Sequence, residues 1–332
     1  MKKFLIVTTA LSTMLISTNA MAAGFHLREQ SAAAQGNAYA GATAGAEDNS
    51  YAYFNVAGLT RHNGTSFTGG ATYIAPKATA KNVYDENGNR DADVQNVVHA
   101  AISPNFTISH KVNDKWFIGL AGNSPYGMIT KYDQDWVGGD HGITSDVKTA
   151  TFTPMAAYKA TDKLSLGVGL QLQYLWAHLT SSKKPIKNVT TDGDAFDVGY
   201  QLGAMYNFSE STRIGVGYRS KIDHKIKGDM KASTTPAFGP YHELLNQDIT
   251  VRLTTPAMFS TGIYHDINNR WAVMAEYQRV FWSSFQHLSF VSRDGGYIIS
   301  KVQEKWRDTN FYSIGTSYML DDQWKLRLGM AY

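Results

Sequence analysis

From Lys163 to Leu179 the chain reads KLSLGVGLQLQYLWAHL, and Leu164, Leu166, Val168, Leu170, Leu172, Tyr174 and Trp176 all fall on even numbers. Ser165, Gly167, Gly169, Gln171 and Gln173 lie between them. A period of two puts the two sets on opposite faces of one β-strand. The pattern recurs at 196–208, 214–219, 271–278, 312–318 and 324–332, and more weakly near 64–76, 94–110, 116–128, 148–160 and 249–265. About eleven strands are predicted. Five connections are tight and polar, around 112–115, 161–162, 209–212, 266–270 and 321–322. They alternate with long ones at roughly 77–93, 129–147, 180–195, 228–248 and 283–303. Short turns at one end and long loops at the other describe an up-and-down meander.

The aromatic positions decide what the large apolar face meets. Trp116, Tyr158, Phe208, Tyr264, Trp271, Tyr318 and Trp324 each lie within a few residues of a short turn. A ring of aromatics at one height is the girdle of a membrane–water boundary. A soluble β-sandwich gives no reason for such a ring. The predicted fold is therefore all-β, a transmembrane antiparallel up-and-down barrel. Its bulky face meets lipid, and its Gly, Ser, Gln and Arg face looks inward.

The first residues point to export. Met1-Lys2-Lys3, an apolar run from Phe4 to Ile16, and Asn19-Ala20-Met21-Ala22 read as a signal peptide over 1–22. The run is shorter than the ~20 residues that a spanning helix needs. The formal net charge of +3 falls to +1 without Lys2 and Lys3, so nothing calls for a nucleic-acid partner. The chain has no cysteine, which removes disulfides and thiolate metal sites. The ten histidines form no His-x-x-x-His pair, and neither a Gly-x-Ser-x-Gly elbow nor a phosphate-binding glycine loop occurs. No metal, cofactor or enzyme activity is expected, although a dispersed triad would leave an outer-membrane lipase or protease barrel as an alternative, and an adhesin as another.

The segment ahead of the first strand does not alternate. QSAAAQGNAYAGATAGAEDNS is built of small residues and leads into YAYFNVAGL. Small residues pack closely, as a plug inside a lumen would. A disordered tail would leave Tyr51, Tyr53, Phe54 and Leu59 nowhere to bury. The chain thus divides into the signal at 1–22, a plug at 23–61 and the barrel at 62–332.

At these residues the sequence resembles the FadL-type family, the long-chain fatty acid transporters of the Gram-negative outer membrane. Ala23-Gly24-Phe25 is similar to that family's mature N-terminus, and GNAYAGATAGAEDNSYAYFNVAGL to its hatch, which closes on an Asn-Pro-Ala motif, here Asn55-Val56-Ala57. SPYGMITKYDQDWVGG resembles the end of the third strand and its loop. FWSSFQHLSF and EKWRDTNFYSIGTSYMLDDQWKLRLGMAY resemble later strands. The resemblance implies a monomeric barrel of about fourteen strands with a hatch in its lumen, in contact with outer-membrane lipid. It implies passive transport of long-chain fatty acids or similar hydrophobic compounds, with aromatic or other hydrocarbons as the runner-up ligand. Capture by loops, an internal pocket, hatch movement and lateral release through a strand kink would be the route.

Relative to that family, Val56 stands in place of proline, so the hatch corner lacks a fixed φ. The loop at 180–195 is short. An odd strand count and a last strand running to Tyr332 imply that the barrel is truncated at its C-terminal side. Proline cannot donate to a ladder, so Pro125-Tyr126-Gly127 marks either a wall-opening kink or a strand end. Ligand contacts are expected from Phe25, from Arg307, and from the apolar loop residues Phe238, Tyr241, Leu244 and Leu245, which form either a capture surface or a lid. The parity of its strand points Arg307 inward, where a carboxylate needs a cation, and the family has a basic residue there. Arg213, Arg219 and Arg327 share that parity, and all four arginines have Glu276, Glu47 and Asp48 as alternative partners.

Overall fold

A computed structural model describes residues 24–84, 88, 90, 93–139, 142–183, 186–233 and 245–332. The segment 1–22 expected to be a signal peptide, and Phe238, Tyr241 and Leu244, lie outside them. A short helix, α1 (Ala32–Gly36), precedes the strands β1 (Thr65–Ile74), β2 (Thr79–Ala80), β3 (Val94–Gln95), β4 (Ala101–Lys111), β5 (Trp116–Asn123), β6 (Gly127–Lys131), β7 (Thr144–Lys159), β8 (Leu164–Lys183) and β9 (Ile186–Asn207). There follow β10 (Thr212–Arg219), β11 (Ile222–Ser233), β12 (Gln247–Thr255), β13 (Met258–Asp266), β14 (Trp271–Val280), β15 (His287–Ser292), β16 (Ile298–Gln303), β17 (Thr309–Met319) and β18 (Lys325–Ala331). One antiparallel sheet runs β1-β4-β5-β7-β8-β9-β10-β13-β14-β17-β18, a path of eleven strands as the alternation predicts. β1 and β18 stand at its two ends.

The period of two resolves as expected along the lower wall. On β9, Phe196, Val198, Tyr200 and Leu202 are each about half exposed, while Gln201 between them is buried. β8 repeats this, with Leu166, Val168 and Leu170 outside and Ser165, Gln171 and Gln173 inside. All five tight turns close on a side-chain oxygen. Asn113, Thr161, Ser209 and Asn268 each accept from the backbone N–H that opens the next strand, and Asp321 accepts from Trp324 N–H just before β18. Beside them Trp116 pairs with Tyr158 and Trp271 with Tyr318 across the ladder, at 4.7 and 4.6 Å between ring centroids. Tyr264 departs from the predicted girdle. It faces inward and is buried beneath the Arg213 guanidinium, 3.8 Å from its centroid.

Two of the long connections, 180–195 and 283–303, are mostly strand among their described residues. β8 and β9 carry the hairpin through to Lys183 and Ile186, so 180–195 is a continued ladder rather than a loop. β11, β12, β15 and β16 rise in the same way from the predicted loops at 228–248 and 283–303. The single strand expected at 249–265 is two, broken at Pro256. Above the apolar belt the alternation inverts: on β11, Ile222, His224 and Ile226 are buried while Asp223, Lys225 and Lys227 are exposed. Water on the outside now favours charge there, and the lumen takes the apolar set.

Residues 24–61 pack against the inner faces, odd-numbered on strands such as β7, β8 and β9 and even-numbered on β13 and β14. Val56 and Leu59 bury against Phe117, Ala121, Met155 and Ala157. Wall glycines admit this backbone. A Cβ on Gly215 would lie 2.0 Å from the Thr43 carbonyl oxygen, and one on Gly203 would lie 2.2 Å from Asn55 Oδ1. Close contact of backbone with wall is what the small-residue composition permits.

Candidate functional site: the N-terminal arm and the window in the wall

The body of the 24–61 segment is fixed by polar bolts. Asn55 Nδ2 donates to the carbonyls of Thr43 at 2.8 Å and Ala204 at 2.9 Å, and its Oδ1 accepts from Ala57 N–H at 3.0 Å. That last bond caps the 3₁₀ turn Val56–Arg61, so capping and full burial of Val56 hold a corner where proline is absent. Arg213 donates to the Ala44 and Gly45 carbonyls, both at 2.7 Å. Gln201 reaches the Ala52 and Tyr53 carbonyls at 2.8 Å, and Glu276 accepts from Thr43 N–H at 3.0 Å.

The arm ahead of this body, Gly24 to Leu27, is held differently. Gly24 has φ +60°, and a Cβ there would lie 2.4 Å from the Trp306 ring. Phe25 is buried among Trp282, Tyr126, Trp306 and Phe285, with centroids 4.9 to 6.1 Å away in edge-to-face geometry. His26 Nε2 lies 3.1 Å from the Tyr53 hydroxyl. Burial, with Arg28 and Arg219 adding repulsion, pushes His26 down to about 3, so the ring is neutral at physiological pH.

The arm also docks on the wall. Gly127 N–H donates to the Phe25 carbonyl at 2.9 Å, and Leu27 N–H donates to the Pro125 carbonyl at 2.8 Å. Pro125 lies in the three-residue break between the end of β5 at Asn123 and the start of β6 at Gly127. The β4–β5 ladder ends at Phe106↔Gly122, and β6 meets the chain before β4 only near Val98↔Thr130. A window therefore separates residues 101–105 from 123–128. A cavity of about 1070 Å³ lies there. Its lining includes the interior residues Phe25, Leu27, Tyr126 and Thr149, and the outward-facing Ile102, Ala150 and Trp176.

A second chamber, about 120 Å³, sits on the lumen side of Phe25. Phe285, Trp306, Met128, Val147, Leu179, Ile226, Val251 and Leu253 line it with Phe25, and its ionisable residues are Asp192 and Glu304. No lysine or arginine lines it. An apolar chamber closed by one aromatic side chain, beside a break in the wall, suits the passage of a hydrophobic molecule.

The sequence profile described as Outer membrane protein transport protein (OMPP1/FadL/TodX) matches residues 13–332. The chain belongs to this family. The long-chain fatty acid transport protein of Escherichia coli O6:H1 is 28% identical over 358 residues, covering 97% of this chain and 80% of that protein. Outer membrane protein P1 of Haemophilus influenzae strain Rd is 27% identical, covering 100% and 81%. Among solved structures, a Pseudomonas aeruginosa FadL homologue has a TM-score of 0.82 at 23% identity, covering 93% of this chain and 81% of that one. The Ralstonia pickettii toluene transporter TbuX has 0.65 at 22%, covering 86% and 81%. These likenesses establish the shared barrel fold. As a member of the OMPP1/FadL/TodX family the chain is an outer-membrane protein. None of its described helices is long and apolar enough to cross a membrane, and its strands carry the apolar belt.

Of the site residues expected in this family member, Phe25, Pro125, Tyr126 and Gly127 come together at the window, and Asn55, Val56 and Ala57 lie in the bolted corner. Leu245 is half-buried against the interior apolar cluster. Arg307 is exposed and lines neither cavity. The parity argument fails there because β17 starts only at Thr309 and Lys305 takes φ 50°, so alternation does not reach position 307. Arg213, Arg219 and Arg327 do face inward. Arg327 meets Glu47, one of the alternative partners. Arg219 instead donates to Gln201 at 2.9 Å and stacks on Tyr53. Sequence reasoning missed Trp282, Phe285 and Trp306, whose signal was a density of aromatics in stretches lacking alternation.

Proposed function

We propose that this protein is a passive outer-membrane channel for hydrophobic compounds, with residues 24–61 as its hatch and the Gly24–Leu27 arm as its stopper. The observation that carries this reading is the apolar chamber closed by Phe25 next to the unpaired window. Ligand would enter the chamber from the extracellular end and displace Phe25. It would then leave through the gap between β4 and β6 while the bolted body of the hatch stays in place. The names of its relatives, long-chain fatty acid transport proteins and toluene transporters, agree with a hydrophobic cargo and not with an enzyme.

The lining of the inner chamber favours an uncharged cargo over a carboxylate, while Lys148 and Lys227 line the window cavity beyond it. Asp192 and Glu304 would repel a carboxylate, no cation lines the chamber, and an unpaired charge in such surroundings is costly. The second reading is a fatty acid whose headgroup remains near the extracellular rim, and the names of the curated relatives favour it. The test is uptake of labelled toluene, a long-chain alkane and oleate by cells expressing the full chain, compared with cells expressing a variant lacking residues 24–30. Faster entry of the neutral compounds than of oleate is expected, with selectivity lost in the deletion. Identical uptake with and without the protein refutes the channel, and a preference for oleate overturns the neutral cargo.

A further inference from the structure

The outer faces of β11 and β12 carry charges that the channel reading does not use. Residues directly opposite in an antiparallel ladder share a face. Lys227 is opposite Asp194, which follows the lipid-facing parity of Phe196 and Val198 on β9, so Lys227 points out of the barrel. Lys225 shares that face and is directly opposite Arg252. All three cations are exposed.

Their neighbours are paired. Lys221 meets Asp223 at 2.9 Å, Lys231 meets Asp229 at 2.6 Å, and Arg293 meets Asp248 at 2.9 Å. Asp194 accepts from the Tyr174 hydroxyl at 2.6 Å. Among the described residues no carboxylate forms an ion pair with Lys225, Lys227 or Arg252. Two like charges set about 5 Å apart across a ladder destabilise it unless an anion lies between them. Lys227 is about 7 Å from Lys225 along the same face and diagonal to Arg252 across the ladder, so the three share one patch. A phosphate there would accept two parallel bonds from the Arg252 guanidinium and one from each ammonium.

The patch sits at the upper rim of the apolar belt, one register step above Phe196, which is 59% exposed. A soluble anion has no use for the belt below. A lipid uses both, with acyl chains on Phe196, Val198 and Tyr200 and the headgroup on the cations. We infer that Lys225, Lys227 and Arg252 hold the phosphate of an outer-leaflet lipid against the outside of the barrel. The site lies on the outer face at the top of the apolar belt; Lys227 also lines the cavity at the window, whereas Lys225 and Arg252 line neither cavity.

The test uses the full chain in detergent micelles, with bisphosphorylated lipid A, its dephosphorylated form and inorganic phosphate as probes, read by native mass spectrometry. The triple variant Lys225→Gln, Lys227→Gln, Arg252→Gln should retain about tenfold less of the bisphosphorylated lipid than wild type. Wild type should retain the dephosphorylated lipid about tenfold less well. The variant Lys221→Gln, Lys231→Gln, which also loses two positive charges on these segments, should bind as wild type. Should the triple variant not fold, Lys225→Arg, Lys227→Arg must keep the lipid, and its loss there overturns the site. Equal retention of both lipids, equal loss in the paired-lysine control, or displacement of the lipid by inorganic phosphate each overturn it as well.

Discussion

Replacing Phe25 by alanine isolates the stopper from the rest of the hatch. The ring is 6% exposed and touches four aromatic side chains. Truncating a buried phenylalanine costs about 3–5 kcal/mol, and each edge-to-face contact adds roughly 0.5–1.5 kcal/mol beyond its area. The arm is joined to the wall near Phe25 by two backbone hydrogen bonds, while the body beyond it keeps its own bolts. The loss therefore falls on arm docking and spares the barrel. Taking about 3 kcal/mol, the undocked population rises roughly a hundredfold. Hydrogen exchange in detergent reads this directly. Leu27 and Gly127 amides, which donate across the arm–wall contact, should exchange about a hundred times faster in Phe25→Ala. The Ala57 amide, held by Asn55, should not change. Unaltered exchange at Leu27 and Gly127 would show that the ring does not hold the arm, and equal acceleration at Ala57 would show that arm and body move as one.

Because the folded-state value of His26 lies near 3 and its ordinary value is 6.5, docking favours the neutral ring. That stabilisation is complete above pH 6.5 and is lost as pH falls towards 3. At pH 4.5 the docked arm should be weakened by about 3 kcal/mol, seen as shifts of the Trp282 and Trp306 signals in fluorotryptophan NMR that His26→Gln abolishes. Gly215→Ala drives a methyl into the Thr43 carbonyl and should cost about 1–3 kcal/mol, lowering the melting temperature. Gly142→Ala, with its nearest atom at 4.0 Å, should not. Asn55→Ala leaves the Thr43 and Ala204 carbonyls without this donor, at about 1–3 kcal/mol each. Ion leak in planar bilayers should rise, and an unchanged baseline would mean that packing alone seats the corner.

How far the sequence could be read depended on what each residue pair reports. Alternation is local, so the eleven-strand path, the lipid-facing set apart from Tyr264, and the five turns were available from neighbours two residues apart. The small residues of 24–61 announced a tightly packed segment, and Pro125 a broken strand, for equally local reasons. Position 307 shows where this stops, because parity counts only while a strand continues, and the irregular turn at Lys305 resets it.

What only the tertiary structure decided is which segments meet. The Phe25 box draws Tyr126, Trp282, Phe285 and Trp306 from three separated stretches, and no spacing rule links them. The charged strand β11 resembles no membrane strand in sequence, because above the belt the solvent outside is water and the apolar set turns inward. The alternating code records that two faces differ. Which face meets lipid, water or hatch is set by height along the barrel and by the partners that folding supplies.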